Sequence, residues 1–472
     1  MKTNTLCLLA GLAASSAVAF AKTIPDYAIA DLVLGKPDFV TALSPLRSSF
    51  SLSNPVAIAI DPVSQKVFVS DRGDNRILRY ASASALTNGT GAEAVFGQMS
   101  FGTNTAGTTD TLLNSPTCLY FDRRGRLWVT DEDNNRVLVY EAASYRNVQA
   151  ADQVYGQPNF TTSSAATTAA KMFRPYGVCV DSDDNLWVGD SGNNRVLRFS
   201  SISTKPSGAS ADQVLGQPDF TTATPAAGAA GMNEPVGITL SSTGTLYVGC
   251  SGNHRILRFN NAVTLGNGAS ASGVLGQPDF TTTSSGLSGT KFAAPCGVWV
   301  TQDDALWVSD YTNNRVLRFD QASTKANGAA ANGVLGQPNF TTNASVISDR
   351  SFGSPFVSPY VDAAGSLWVS EENYKRVLRF PADETLPLLT LTTVVPKTTK
   401  AKKLTLKGTA SDAYGVARVQ FKVNAGPLMT AVGTTAWQIK PLLKKGRNTI
   451  TVFATDSVGN VSLNRIIKIT RK

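Results

Sequence analysis

The chain has 472 residues, with 43 Lys and Arg against 34 Asp and Glu, a net charge of +9, a single histidine and five cysteines. This is an ordinary globular composition, long enough for two or more domains, and it excludes disordered, collagenous and disulfide-dense classes. One histidine, His254, and no cysteine pair at ligand spacing leave no basis for a multi-histidine or cysteine-rich zinc site.

In chain order, Lys2 precedes an apolar run from Leu6 to Ala21 that closes on Ala19-Phe20-Ala21. Charge, apolar stretch and small residues in that order predict a secretory signal peptide over residues 1–21, and the run is too short and too rich in Ala and Ser to span a bilayer. The expected location is secreted, periplasmic or at the cell surface, with no transmembrane segment. Cys118, Cys179, Cys250 and Cys296 remain in the mature chain, either paired or as buried thiols.

One phrase then returns six times: DRGDNRILRY from Asp71, DEDNNRVLVY from Asp131, DSGNNRVLRF from Asp190, CSGNHRILRF from Cys250, DYTNNRVLRF from Asp310 and EENYKRVLRF from Glu371. Its arginines, Arg76, Arg136, Arg195, Arg255, Arg315 and Arg376, are spaced by 60, 59, 60, 60 and 61 residues. So regular a period predicts one structural unit per copy. Each unit reads as four short β-branched and apolar runs punctuated by Gly, Asn, Asp and Ser, as in PYGVCVD, LWVGD, RVLRF and QVLGQPDF, with no helical periodicity. That pattern predicts an all-β propeller of six blades.

A phase offset predicts how the ends meet. A copy of the fourth run, LVLGKPDF from Leu32, precedes any complete unit, and the last RVLRF, ending at Phe380, has none after it. The N-terminal run is therefore expected to supply the outermost strand of the sixth blade, removing an open edge. Phe68, Trp128, Trp187, Tyr247, Trp307 and Trp368 recur at one place in the second run and are expected to be core.

The recurring Pro, GVxVD and LWVSDSGNNRVLRF pattern resembles the NHL repeat over roughly residues 30–381, and the resemblance implies a six-bladed propeller. The units here are longer than the roughly forty residues usual for such repeats, through Thr/Ser/Ala-rich segments such as TTSSAATTAA from Thr161. Beyond Phe380 the alternating runs LTLKGTASD, ARVQFKVNAG, NTITVFATDSVGN and RIIKITRK predict a small β-sandwich over 386–472. They resemble bacterial immunoglobulin-like modules. From Glu384 onward there are 15 Lys and Arg against 3 acidic residues, a net +12, which leaves −3 for the preceding part. KTTKAKK from Lys397 and KPLLKKGR from Lys440 favour an anionic partner such as a cell envelope, while nucleic-acid contact through the repeats is disfavoured.

The Asp-x-x-Asn-Asn-Arg phrase suits a tight turn, with the arginine bridging back to the acid, and its sixfold recurrence argues for structure over catalysis. Departures from the repeat are therefore the more informative residues. The face carrying these turns and the long connections is expected to gather Arg174, Tyr176, Glu234, His254, Tyr311 and Tyr374 near the mouth of the central channel, as a ligand-binding set. Propellers of the amidating-lyase kind, which NHL repeats resemble, hold zinc with several histidines, where this chain has one; the streptogramin-lyase type also relies on histidine, and His254 alone makes a weak general base. The gluconolactonase type holds a divalent cation with Glu, Asp and Asn, and is the alternative reading. The expectation is a non-enzymatic binding module for a carbohydrate, peptide or protein, with no cofactor, no metal ligand and no catalytic residue.

Overall fold

The computed structural model describes residues 24–42, 46–141 and 147–472; the expected signal segment 1–21 lies outside them. Among the described residues the repeats form six four-stranded antiparallel sheets. In the third, Pro175–Val180, Leu186–Asp190, Arg195–Phe199 and Gln213–Leu215 lie in that order from the inside out. The sixth contains Pro355–Val361, Leu367–Glu371 and Arg376–Phe380, and its outermost strand is Leu32–Leu34, paired antiparallel with Val33 opposite Leu378. Arg379 reaches across this seam to both carboxylate oxygens of Asp31, at 2.9 Å each.

Each innermost strand packs on the innermost strand of the next sheet, and that of the sixth packs on Pro55–Ile60 of the first. The approach is close enough to require glycine. A Cβ on Gly177 would lie 2.6 Å from the carbonyl oxygen of Val236, and one on Gly237 only 2.2 Å from that of Cys296. The aromatics expected in the core are there: Phe68, Trp128, Trp187, Tyr247, Trp307 and Trp368 are all buried between sheets. Three of the indoles also donate to the carboxylate of the preceding turn, Trp128 to Asp122, Trp187 to Asp181 and Trp368 to Asp362, each at 2.9 Å.

The repeated phrase folds as a 3-10 turn, Ser191–Asn193 in the third repeat, followed by Asn194 in the left-handed region at φ 54°. Asp190 accepts from Asn193 Nδ2 at 2.8 Å and from Arg195 Nε at 2.7 Å with one oxygen, and from the Phe173 N–H at 2.7 Å with the other. Arg195 is fully buried and its remaining nitrogens donate to the carbonyls of Phe220, Thr168 and Lys171. The long Thr/Ser/Ala-rich connections are thus clamped by the arginine of their own repeat. Asn194 Oδ1 accepts from the N–H of Glu234 at 2.9 Å, clasping one sheet to the next.

After Phe380, Leu388–Leu391, Leu406–Ser411 and Ala436–Ile439 form a three-stranded sheet, and Thr398–Thr399, Arg465–Arg471, Gly446–Asp456, Val416–Val423 and Met429–Thr430 a five-stranded one. Leu406, Val419, Trp437, Ile450 and Val452 share their buried core. The two basic runs meet, because Lys403 bridges Leu442 and the Leu443 N–H donates to the Lys402 carbonyl at 2.9 Å. Lys402, Lys403, Lys440, Lys444 and Lys445 are all exposed there. No helix among the described residues is long and apolar enough to cross a membrane.

Candidate functional site

At the end of the inner strands that carries the 3-10 turns lies a cavity of about 570 Å³. Its lining includes Phe173, Arg174, Tyr176, Glu234, Tyr311 and Phe356. The second residues of five inner strands meet here: Val56, Val236 and Cys296 form a buried apolar floor, with Tyr176 and Phe356 and the turn residue Tyr311 packed against it. Phe356 stands edge-on to Tyr311 and Tyr176, with ring centroids 5.2 and 6.2 Å apart.

Arg174 and Glu234 reach this mouth because each precedes the proline that opens an inner strand and adopts a left-handed backbone, at φ 49° and 50°. Both N–H groups are fixed by the second asparagine of the preceding turn, Arg174 by Asn135 and Glu234 by Asn194. The clasp holds an uncommon backbone and presents the side chain outward.

Two networks flank the cavity. Glu132 is 0 % exposed, yet it gathers Arg72 at 2.9 Å, Arg174 through Nε at 2.8 Å and through Nη2, and the Tyr176 hydroxyl at 2.8 Å. Burial and the Glu132 carboxylate push the Tyr176 phenol well above its ordinary value. On the other side Glu372 accepts from the Tyr311 hydroxyl at 2.9 Å and from Asn54 Nδ2 at 2.8 Å. Burial and that bond push Tyr311 up to about 12. Glu234 is exposed, and its carboxylate takes no hydrogen bond or ion pair among the described residues. The Cys296 thiol below is pushed up to about 12 by burial, which keeps it protonated and unsuited to nucleophilic attack.

Four of the six expected site residues, Arg174, Tyr176, Glu234 and Tyr311, therefore come together. The other two stand apart from the cavity lining. His254 takes the place of the clasping asparagine, with φ 51° and Nδ1 accepting from the Ala294 N–H at 3.0 Å. Tyr374 shares a hydrogen bond of 2.9 Å with Ser345 and lies over the Arg376 guanidinium. Sequence reasoning passed over Arg72, Glu132 and Glu372. Their signal is one variable position directly after the acid of the repeated phrase, occupied in turn by Arg72, Glu132, Ser191, Ser251, Tyr311 and Glu372. All four cysteines of the repeats are free thiols.

Sheets of four antiparallel strands repeated about an axis, with a mouth built from their turns, define a β-propeller. The chain belongs to the teneurin NHL domain family, whose model matches residues 6–320. It is similar in structure to a streptogramin B lyase, at 15% identity over 70% of this chain and 94% of that one, with a TM-score of 0.41. It is similar also to a gluconolactonase from Xanthomonas campestris (17% identity, 71% and 88% covered, TM-score 0.39) and to a chain of a nidogen/laminin complex (17% identity, 60% and 84% covered, TM-score 0.37). No curated protein matches the sequence.

Proposed function

We propose that the chain is an exported, six-bladed NHL propeller over residues 30–381, followed by an immunoglobulin-like module over 386–472, and that it binds rather than transforms its ligand. The ligand is a carbohydrate, peptide or protein segment seated in the propeller mouth. The observation that carries this reading is how the mouth's charged groups are used. Glu132 and Glu372 are spent on Arg72, Arg174, Asn54 and two tyrosine hydroxyls, so neither stands ready as a base or as a cation ligand. The aromatic faces of Phe173, Tyr176 and Tyr311, the outer side of Arg174 and the unpaired Glu234 carboxylate remain for recognition.

The basic patch where Lys402 and Lys403 meet Lys440, Lys444 and Lys445 supports a second role, attachment to an anionic cell envelope or matrix. Glycan and peptide arrays probed with the full chain test the first role. Phe173→Ala and Glu234→Gln alter exposed side chains, so they should abolish capture without changing the melting temperature. Equal capture by all three proteins would remove the mouth as the site. Binding of the full chain to anionic vesicles or envelope fragments, lost at high salt and on Lys402→Gln with Lys444→Gln, tests the second.

A further inference from the structure

We infer that Asp383, Asp412 and Asp456 form a site for a divalent cation of the calcium class, which fastens the segment leaving the last repeat to two loops of the C-terminal module. The inference is independent of the mouth and of what the mouth binds. One carboxylate oxygen from each of the three lies within 4.8 Å of the others, and among the described residues this is the one group of three or more acidic, histidine or cysteine side chains so arranged. The residues arrive from distant parts of the chain. Asp383 follows Arg376–Phe380, Asp412 follows Leu406–Ser411, and Asp456 ends Gly446–Asp456.

Burial sets this cluster apart from a solvated acidic patch. Asp383 and Asp456 are only 6% and 2% exposed. Each uses one oxygen fully. Asp456 Oδ1 accepts from the N–H groups of Val458, Gly459 and Asn460 at 2.9, 2.7 and 2.9 Å, and Asp383 Oδ1 accepts from the N–H and hydroxyl of Thr385 at 3.0 and 2.5 Å. The second oxygen of each, Asp383 Oδ2 and Asp456 Oδ2, is buried with no hydrogen-bond partner. Buried carboxylate oxygens are rarely left so, since the loss of water must be made good by a donor or a cation. No lysine or arginine among the described residues forms an ion pair with any of the three, although the chain from Glu384 onward carries a net +12.

The donor chemistry selects the ion. Three carboxylates with no nitrogen or sulfur ligand suit a hard cation, and calcium accepts an irregular oxygen shell completed by water more readily than magnesium does. The turns are already held in place by bonds that leave Asp383 Oδ2 and Asp456 Oδ2 alone: the Tyr414 N–H donates to Asp412 Oδ1 at 2.9 Å, and Asn460 Nδ2 to the Asp383 carbonyl at 3.0 Å, while Asp412 Oδ2 takes only a long contact of 3.5 Å from the Thr385 hydroxyl. Tyr414, next to Asp412, packs against the core that contains Val33, Leu378 and Phe380. Occupancy would therefore stiffen the junction between the repeats and the module, and the cation's absence would loosen it.

The test uses the full chain, stripped with chelator and titrated calorimetrically with CaCl2 and separately with MgCl2. The expected result is one calcium per chain, weaker magnesium binding and a higher unfolding temperature with calcium. Asp412→Asn, at the more exposed corner, and Asp456→Asn should each weaken calcium binding at least tenfold, while Glu132→Gln and Glu372→Gln leave it unchanged. Should Asp456→Asn fail to fold, terbium luminescence of Asp412→Asn against the parent reads the same loss. No calcium heat and no thermal shift in the parent would overturn the inference, as would binding that survives Asp412→Asn.

Discussion

In the fourth repeat, Cys250 stands where the other five carry a carboxylate, and the partner arginine has not changed to match. Arg255 is fully buried; its terminal nitrogens donate to the carbonyls of Phe280, Gly228 and Gly231, but its Nε makes no well-formed hydrogen bond and has only the Cys250 thiol, a weak acceptor, beside it. In the fifth repeat the same Nε position, on Arg315, lies 2.7 Å from Asp310, which also accepts from Asn313 at 2.8 Å and from the Ala293 N–H at 2.7 Å. The backbone at Cys250, φ −92° and ψ 90°, is close to that of Asp310, φ −97° and ψ 79°, so an aspartate fits without rearrangement. Cys250→Asp would complete a charge-assisted bond, about 1.5–3 kcal/mol, and relieve an unsatisfied buried donor, about 1–3 kcal/mol. Burying the new carboxylate offsets part of this, because a buried ion pair gains only what exceeds its desolvation. The net expectation is a stabilisation of roughly 2 kcal/mol. The reverse change, Asp310→Cys, should cost about 3–5 kcal/mol by leaving Arg315 unpaired. Urea unfolding followed by tryptophan fluorescence measures both, and Cys250→Asp with Arg255→Met closes a double-mutant cycle. A Cys250→Asp protein no more stable than the parent, with Asp310→Cys costing under about 1 kcal/mol, would refute the role assigned to the pair.

Three further outcomes are expected. Burial lowers the pKa of His254 below its ordinary 6.5, so just below that pH the unfolded chain binds the extra proton and the folded chain does not. Stability from this group is thus complete above about pH 6.5 and falls as the pH drops towards the folded pKa; His254→Asn, which restores the clasp of the other repeats, should flatten that part of a melting-temperature profile. Deleting residues 30–39 removes the buried Leu32, Val33 and Leu34 and bares the edge of Arg376–Phe380, a loss of roughly 5 kcal/mol or more at about 1.5–3 kcal/mol per side chain, and a truncated protein that unfolds at the parent's urea midpoint would contradict the seam. Glu132→Gln should destabilise by about 3 kcal/mol, because two guanidiniums lose their shared buried charge, and should weaken ligand capture with it.

The sixty-residue period was enough to expose the strands, the buried aromatic of each second strand and the early copy of the fourth run at Leu32, because all of these recur and recurrence is visible in one sequence. The acid-to-arginine bridge within the turn was legible for the same reason. The mouth was only half legible. Arg174, Tyr176, Glu234 and Tyr311 were found by their place on the face that carries the turns and the long connections, but the same reasoning also selected His254 and Tyr374. His254 departs in chemistry and not in role, since its Nδ1 replaces an asparagine oxygen as acceptor for the next sheet. Arg72, Glu132 and Glu372 escaped because charged residues in turns read as solvated until the ring places them side by side. Glu132 meets Arg174 from 42 positions away, a contact set by the packing of neighbouring sheets and by nothing local.

The central claim is that the mouth binds a ligand and does no chemistry on it. The most direct measurement takes the parent, Phe173→Ala and Glu234→Gln, with Asp456→Asn as a control for the junction, through glycan and peptide arrays and, in parallel, through a lactone-hydrolysis screen with calcium present. The account predicts capture by the parent and by Asp456→Asn, loss of capture in both mouth variants, and no turnover in any protein. Lactone turnover that stops with chelator, persists in Asp456→Asn and is lost in Glu132→Gln and Glu372→Gln would contradict it.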